Sequence, residues 1–375
     1  MIRRIEPSEL SRLSPQRICL IKPSALGDIV QTLPLLPVLK TRFPQARISW
    51  VVNRELAGLV EGHPCLEDVL PFDRRGGWRD WMRLLDELRS RQFDLVFDLQ
   101  GLFRTAVMTV MTRAAVRVGL QTAREGASLT TNCIVPGTAR EVPAHARVWR
   151  IAEVLGHGDS PRETLVATST EDREWATTLL ERLPRPVFAV HPGAQWETKR
   201  WPVEKFAEVL KRALHEWRGS AIVLGSRGEH PQAERLRHLL TEGVTAPSRA
   251  TNEADSAVIN LAGQTSLKQL AALLTAVDFA VSNDSGPMHL AAGLGIPTLG
   301  LFTCTSPGQS GPPGDRHVLV ATSVSCAASY HKKCPNRGPA HLACLQELDV
   351  ERVWQGLRRL VEKNGLASTR DIRVA

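Results

Sequence analysis

The chain is poor in the features that mark several large protein classes. It has a single Tyr and nine Phe among 375 residues. No basic run is interleaved with aromatics, and neither an RNP-like nor a zinc-finger spacing is present, which sets nucleic-acid binding aside. No apolar run approaches the ~18 residues that mark a spanning helix. The opening Met1-Ile2-Arg3-Arg4-Ile5-Glu6-Pro7 lacks the apolar core of a signal peptide, so a cytoplasmic location is expected. The seven cysteines are odd in number and contain no Cys-x-x-Cys pair, as expected of thiols in a reducing compartment. No Gly-Lys-Ser/Thr follows the first glycine-bearing loop, where Gly27 stands alone, and Gly293-Leu294-Gly295 precedes a strand instead of following one. Walker A and dinucleotide fingerprints are therefore excluded.

What is present is ordinary globular composition, 43% hydrophobic and 23% charged, in a chain long enough for two domains. The net charge of +8 favours anionic partners such as phosphorylated metabolites or an acidic membrane surface. The cations are dispersed, with only short clusters such as Arg3-Arg4, Arg74-Arg75 and Lys332-Lys333.

Apolar strand-like runs alternate with helical patterns, the signature of parallel sheets with crossover helices. One set comprises Ile18-Cys19-Leu20-Ile21, Ile48-Ser49-Trp50-Val51-Val52 and Asp94-Leu95-Val96-Phe97. A second comprises Val187-Phe188-Ala189-Val190, Ala221-Ile222-Val223-Leu224, Phe279-Ala280-Val281 and Thr298-Leu299-Gly300-Leu301-Phe302. Between them, residues 157–186 are rich in proline and small polar residues, and the domain boundary is placed there. The divisions expected are a first domain over residues 1–168, a linker region over 169–185, a second domain over 186–348 and a C-terminal helix with tail over 349–375. Within the linker a short helix should start after Ser169-Thr170, one of which is its N-cap, with Glu171 and Asp172 in the first turn. Val350, Val353, Trp354, Leu357 and Leu360-Val361 recur at helical spacing in the final segment.

Four strand-to-helix loops carry candidate chemistry, because ligands of open α/β sheets bind at the carboxyl ends of strands. The first is Lys22-Pro23-Ser24-Ala25-Leu26-Gly27-Asp28. Asp28 suits a helix N-cap or a general base taking a proton from an acceptor hydroxyl; both hold only if one carboxylate oxygen stays free. The second is Asp98-Leu99-Gln100-Gly101-Leu102-Phe103-Arg104. Its polar side chains could bond a polyhydroxylated or anionic acceptor, or form an ordinary loop with a solvated arginine. The third is His191-Pro192-Gly193-Ala194-Gln195-Trp196-Glu197-Thr198-Lys199-Arg200-Trp201-Pro202. A glycine-bearing loop feeding a helix start beside Lys199 and Arg200 makes an anion site, unless these are two solvated cations. The fourth is Val281-Ser282-Asn283-Asp284-Ser285-Gly286-Pro287-Met288-His289-Leu290-Ala291, a strand end and small polar turn whose amides and helix dipole would suit a second anionic group, or a capped helix start with His289 packed in its first turn. Ser266 to Gln269 reads as a structural capping box. Cys326, Cys334 and Cys344, with His331 and His341 interleaved, are spaced too loosely for a tight zinc site; unpaired thiols and no metal are expected.

Together these segments resemble the glycosyltransferase family that contains the ADP-heptose:lipopolysaccharide heptosyltransferases, over about residues 18–361. Ser24 to Asp28 matches the family's first motif, and Asp98-Leu99-Gln100-Gly101 with Arg104 resembles its second. Arg117-Val118-Gly119 and Arg124-Glu125-Gly126 look like later landmarks. His191-Pro192-Gly193-Ala194 with Lys199-Arg200-Trp201-Pro202 matches the donor-phosphate segment, and Asn283-Asp284-Ser285-Gly286-Pro287-Met288-His289 the most specific motif. The wording of that motif and the cysteine-bearing tail are more similar to the second-heptose enzymes than to the first. Relatives with this tail usually carry a further Cys where this chain has Ser329.

The resemblance implies an α/β GT-B fold: two Rossmann-like domains with parallel sheets facing across a cleft, and a last helix crossing back to the first domain. It implies an inverting enzyme moving heptose from ADP-heptose to the Kdo/heptose inner core of lipopolysaccharide, with peripheral contact at the cytoplasmic face of the inner membrane. By carry-over, Asp28 is the general base and Lys199 the catalytic phosphate ligand. His191, Gly193, Ala194, Arg200, Asp284, Ser285, Gly286 and His289 hold the donor, and Ser24, Gly27, Gln100 and Arg104 the acceptor. No cofactor is expected and no divalent metal is obligatory. The alternative is a related transferase using another nucleotide sugar or another glycan acceptor.

Overall fold

The structure, a computed structural model, describes residues 4–242 and 257–366. Its contacts divide the chain into two compact units, Met1–Ala167 and Thr168–Ala375.

The first unit alternates β1 (Arg17–Ile21), α1 (Leu26–Thr32), α2 (Leu35–Arg42), β2 (Arg47–Asn53), β3 (Asp68–Phe72), α3 (Gly77–Ser90), β4 (Leu95–Asp98), α4 (Phe103–Met111), β5 (Val116–Leu120), β6 (Cys133–Val135) and α5 (Ala144–Val154). Its six strands are parallel in the order β3-β2-β1-β4-β5-β6. Central β1 is buried on both faces from Ile18 to Ile21, as a parallel strand covered by crossover helices must be. Cys19 and Ile21 pack with Val51, Val96, Leu84, Leu85 and Leu88 of α3, and Met108 of α4. The apolar pattern misses three strands of this sheet, β5, β6 and the edge strand β3. β3 contains Pro71, which offers no amide to a ladder, and it lies at the sheet edge where that is tolerated.

The second unit runs α6 (Thr170–Glu181), β7 (Val187–His191), α7 (Val203–Trp217), β8 (Ser220–Val223), α8 (His230–Thr241), β9 (Val258–Asn260), α9 (Leu267–Ala276), β10 (Phe279–Asn283), α10 (Gly286–Gly293), β11 (Thr298–Phe302), α11 (Pro307–Ser310), β12 (Val318–Ala321), α12 (Ala343–Glu347) and α13 (Val350–Lys363). Its parallel sheet has the order β12-β11-β10-β7-β8-β9, the same winding again. Both sheets therefore follow the doubly wound Rossmann-type order, and the fold is GT-B. Each sheet has one switch point, between β1 and β4 in the first and between β7 and β10 in the second. A crevice opens at the carboxyl ends of such strand pairs because their helices depart to opposite faces. The second core stacks Phe188 on Phe279, with ring centroids 4.9 Å apart, beneath Phe206, Val209 and Leu210 of α7.

Local signals explain the helix starts. Ser169 caps α6, its hydroxyl accepting the Asp172 amide at 3.0 Å, and Ser266 caps α9 by the same reciprocal arrangement with Gln269. The segment placed in a linker is mostly α6, which belongs to the second unit and packs on α9 through buried Ala176 and Leu180. Val353, Trp354, Leu357, Leu360 and Val361 are buried in the second unit's own core, against α7, β11 and β12. With that stripe consumed there, α13 is an integral layer of the second unit.

Candidate active site

In the first unit, the loop leaving β1 delivers Asp28 to the third position of α1; the N-cap position itself is held by Ala25. The carboxylate turns back on the loop: Oδ2 accepts the Ala25 amide at 3.2 Å and lies 3.1 Å from Lys22 Nζ. No donor among the described residues meets Oδ1, and the side chain is 41% exposed. The condition that one oxygen stay free is thus satisfied even though the other serves the helix start. Lys22 was quoted in the first loop but given no role. Its ammonium is buried, donates to Leu99 O at 3.2 Å and faces Asp28, tying the loop after β1 to the loop after β4. A lysine directly after a buried central strand and six residues before an aspartate was the signal available for it.

The loop after β4 is shaped by Asp98, which is 1% exposed. Its carboxylate accepts the Gln100 and Gly101 amides at 3.1 and 2.9 Å and the Thr105 hydroxyl at 2.9 Å. Burial raises its pKa above the ordinary carboxylate value, against those hydrogen bonds and the Lys22 charge. Asp98 is accordingly a loop former. Gly101 sits at φ +65°, and a Cβ there would lie 2.8 Å from the Ala123 Cα, so only glycine fits. Two other side chains of this loop stay available. Gln100 Oε1 is shielded from solvent and meets no donor among the described residues. Arg104 is exposed, lies over the Phe72 ring at 5.4 Å and pairs with no carboxylate among the described residues. Ser24 and Gly27 are half-buried in the first loop.

In the second unit the loops after β7 and β10 meet at the other switch point, where His191 stands opposite Ser282. Asp284 is the hub. Its Oδ2 lies 2.7 Å from Lys199 Nζ and accepts the Thr305 hydroxyl at 2.6 Å, while His289 Nε2 approaches Oδ1 at 3.7 Å. Burial opposes the charge on Asp284, but His289 and Lys199 outweigh it and hold the pKa at about 2. A second chain runs beside it. His191 Nδ1 shares a hydrogen bond with Ser285 Oγ at 3.0 Å, and its Nε2 faces Glu229 Oε2 at 3.6 Å. Glu229 also accepts the Ser226 amide and hydroxyl, at 2.8 and 2.7 Å. Burial disfavours its charge, yet these partners bring its pKa down to about 2.

Ser285 holds the N-cap position of α10, but its hydroxyl bonds His191 and Ser282 and leaves the first-turn amides without a side-chain cap. That helix end keeps its positive field for a ligand. Gly193 is needed by its neighbours: a Cβ there would fall 2.1 Å from Glu229 Oε1. Asn283 Nδ2 donates to Pro192 O at 2.7 Å and its Oδ1 accepts the Trp201 amide at 3.3 Å, fixing one loop against the other. Arg200 turns its Nε to Ala194 O at 2.7 Å, bracing the buried Ala194 backbone. Lys199 also lies 4.5 Å above the Trp196 ring. Trp201 is a packing anchor, fully buried and bonded to Leu348 O. Sequence reasoning missed Glu229, Ser226 and Thr305, which lie outside the quoted motifs and reach the site only through the fold.

The three tail cysteines are thiols, like all seven. Cys326 and Cys334 accept weak bonds from Asn336 Nδ2 and the Leu342 amide. Burial, reinforced by the neighbouring thiols, pushes Cys344 up to about 11. Among the described residues no group of three or more His, Cys, Asp or Glu is arranged to hold a metal, and no helix is long and apolar enough to cross a membrane.

Chemically, the two switch points differ. The first presents an accessible carboxylate oxygen beside neutral and cationic hydrogen-bonding groups. The second presents a fixed ammonium, an uncapped helix start and a buried acid. Comparison with known proteins points to one family. The model of glycosyltransferase family 9 (heptosyltransferase) matches residues 81–339. The lipopolysaccharide core heptosyltransferase of Haemophilus influenzae is 28% identical over 82% of this chain and 85% of its own. Lipopolysaccharide heptosyltransferase 1 of Pseudomonas aeruginosa is 29% identical over 85% of this chain and 87% of its own. Among solved structures, the ADP-heptose LPS heptosyltransferase II of E. coli superposes with a TM-score of 0.70 at 22% identity, covering 93% of this chain and 99% of that one.

Proposed function

The chain belongs to glycosyltransferase family 9, and from that premise we propose that it transfers heptose from ADP-heptose to the Kdo/heptose inner core of lipopolysaccharide, with inversion. The observation that carries this reading is the pairing of Lys199 with Asp284 beside the uncapped start of α10. The second unit would take the donor there. Diphosphate oxygens would meet the α10 amides and Lys199; Asp284, with His289, would accept sugar hydroxyls. Gly193 and Ala194 would let the backbone approach the nucleotide, braced by Arg200, His191 and Ser285. The first unit would take the acceptor, with Ser24, Gly27, Gln100 and Arg104 around it. Relatives named for the first-heptose and the second-heptose step both resemble this chain, so acceptor preference decides which step it performs.

In the proposed reaction an acceptor hydroxyl attacks the anomeric carbon as its proton passes to Asp28 Oδ1. The bond from that carbon to the phosphate oxygen breaks on the opposite face, and ADP leaves with the electron pair. Lys22 keeps Asp28 oriented through Oδ2. Negative charge grows on the leaving diphosphate, and each preorganised donor there is worth ~3 kcal/mol by analogy with oxyanion holes. Because Lys199 and the helix end supply this positive field, turnover is expected to persist in chelator. The reaction would take place at the cytoplasmic face of the inner membrane, where a lipid-anchored acceptor is presented.

The test is ADP release from ADP-heptose with a heptose-free, Kdo-containing lipid A acceptor and with its mono-heptosylated form. Acceptor-dependent release, lost in Asp28→Ala, supports the reading. Release only from another nucleotide sugar would replace it with the related transferase. Silence with every donor in folded protein would overturn it.

A further inference from the structure

The first unit carries large apolar side chains in water on three consecutive segments. Trp78 is 72% exposed and Met82, four residues on along the same face of α3, 45%. Phe103 is 66% exposed at the first residue of α4, and Leu129 is 84% exposed in the short turn Ala127–Thr130 after β5. α3 packs against α4, and α4 against that turn, so these side chains belong to one region. Trp81 sits edge-on to Phe72, 5.6 Å away, pinning the helix start while Trp78 and Met82 are left outside. Single exposed apolar residues are ordinary; four on neighbouring segments mark an interaction surface.

The region is also basic. Arg74, Arg75, Arg79 and Arg83 are exposed around the start of α3. Arg79 lies over the Trp78 ring at 5.7 Å. Asp80 pairs with Arg83, while Asp73 and Glu125 are occupied with the Arg75 and Phe103 amides. Arg74 and Arg75 meet no carboxylate among the described residues. Trp within a cationic rim suits the headgroup layer of a bilayer, where its ring is apolar and its edge wet. The location agrees: α3, α4 and the Ala127–Thr130 turn begin where β3, β4 and β5 end, the same sheet edge that carries Asp28.

We propose that this surface (Trp78, Met82, Phe103 and Leu129 within the Arg74–Arg83 rim) docks the first unit on an anionic phospholipid bilayer. It would thereby present the Asp28 loop to an acceptor lying in that bilayer. The inference deepens the proposed function and rests on its lipid-anchored acceptor. Arginines near an anionic surface each contribute about fivefold to binding, and the apolar side chains hold the protein once it arrives.

The experiment is flotation of the full chain with phosphatidylethanolamine/phosphatidylglycerol vesicles and with phosphatidylcholine vesicles, at low and high salt. Variants are Trp78→Ser/Met82→Ser and Arg74→Glu/Arg75→Glu, alongside transfer to a soluble acceptor lacking acyl chains. Expected is salt-sensitive flotation with the anionic vesicles only, reduced about tenfold or more in each variant, while wild-type turnover on the soluble acceptor is retained. Absence of flotation in the wild type, or variants that float as it does, overturns the proposal. So does a dimer dispersed by Trp78→Ser/Met82→Ser in a protein that ignores vesicles, which would make the surface a contact between copies. If flotation behaves as expected but no acceptor is glycosylated, the docking surface stands and the proposed reaction falls.

Discussion

The two units wind their sheets identically yet fill their switch points in opposite ways. In the first, Asp28 is 41% exposed and one of its carboxylate oxygens meets no donor among the described residues. In the second, Asp284 is 4% exposed and meets Lys199, Thr305 and His289. The contrast fits the tasks proposed for them. A general base must keep a lone pair free until the acceptor arrives, whereas a site that stabilises charge on a leaving group works best when its dipoles are fixed beforehand. One topology thus supports a sparse site and a saturated one, and substitutions should behave differently in each.

The largest expected effect is in the sparse site. Asp28→Ala should lower kcat by about 10²–10⁴-fold, the range of general-base catalysis. Donor affinity, measured by calorimetry with ADP, should hardly change, and thermal stability should fall less than in Lys199→Ala, because only the Lys22 end of the Lys22–Asp28 pair is buried. A kcat within threefold or so of the wild type would remove Asp28 from the mechanism. Lys199→Ala should act twice over. Turnover should fall by about 10²–10³-fold, as on losing one preorganised donor. The second unit should also lose stability, because Asp284 is left buried without its ammonium; removing one partner of a buried pair costs about 3–5 kcal/mol. If Asp28→Ala destabilises more than Lys199→Ala, the contrast between the two sites is wrong.

These predictions concern residues visible in the sequence; the residues around them were less so. Both sheets were legible through their central strands, because β1, β4, β7 and β10 are continuous apolar runs buried on both faces. The edge strands were not: β3 contains Pro71, and β9 is three residues long. The four loops were found because a strand end followed by glycine or small polar residues has few structural uses. The loop-forming role of Asp98 was not legible because sequence does not show a carboxylate turning onto its own loop. Glu229 lies 38 residues beyond His191, and only the adjacency of β7 and β8 brings it back. The packing of α13 on α7, β11 and β12 was not legible, because an amphipathic stripe shows that a helix is covered, and not by what.

Glycine substitutions sharpen the comparison at smaller magnitude. Gly101→Ala meets backbone, at a position of positive φ, and should destabilise the first unit by about 1–3 kcal/mol, the cost of such strain. Gly193→Ala meets only the end of a Glu229 side chain, which can swing away but then abandons Ser226 and His191. It should weaken ADP binding by about tenfold, equivalent to ~1.4 kcal/mol, with a smaller change in melting temperature. Equal losses of stability in both would show that the second loop is as rigidly constrained as the first.

The smallest effect is a difference in sign on acidification. In the second unit Asp284 and Glu229 are held at about 2, below the values near 4 of an unfolded chain. Their stabilisation is therefore complete above pH ~4 and is lost as pH falls towards about 2, where the folded state must take up protons it resists. Asp98 in the first unit is raised by burial, so its native state takes up a proton more readily than the unfolded chain, and acidification through that range relieves a cost. Hydrogen exchange from pH 5 to pH 2.5, corrected for intrinsic rates, should show peptides of β7 and β10 losing protection before those of β1 and β4. Asp284→Asn should flatten the dependence in the second unit, at a lower starting stability because Lys199 is left without its carboxylate. If β1 and β4 open first, or Asp284→Asn leaves the acid profile of the second unit unchanged, then the ion cluster at its switch point is not what holds that unit together in acid.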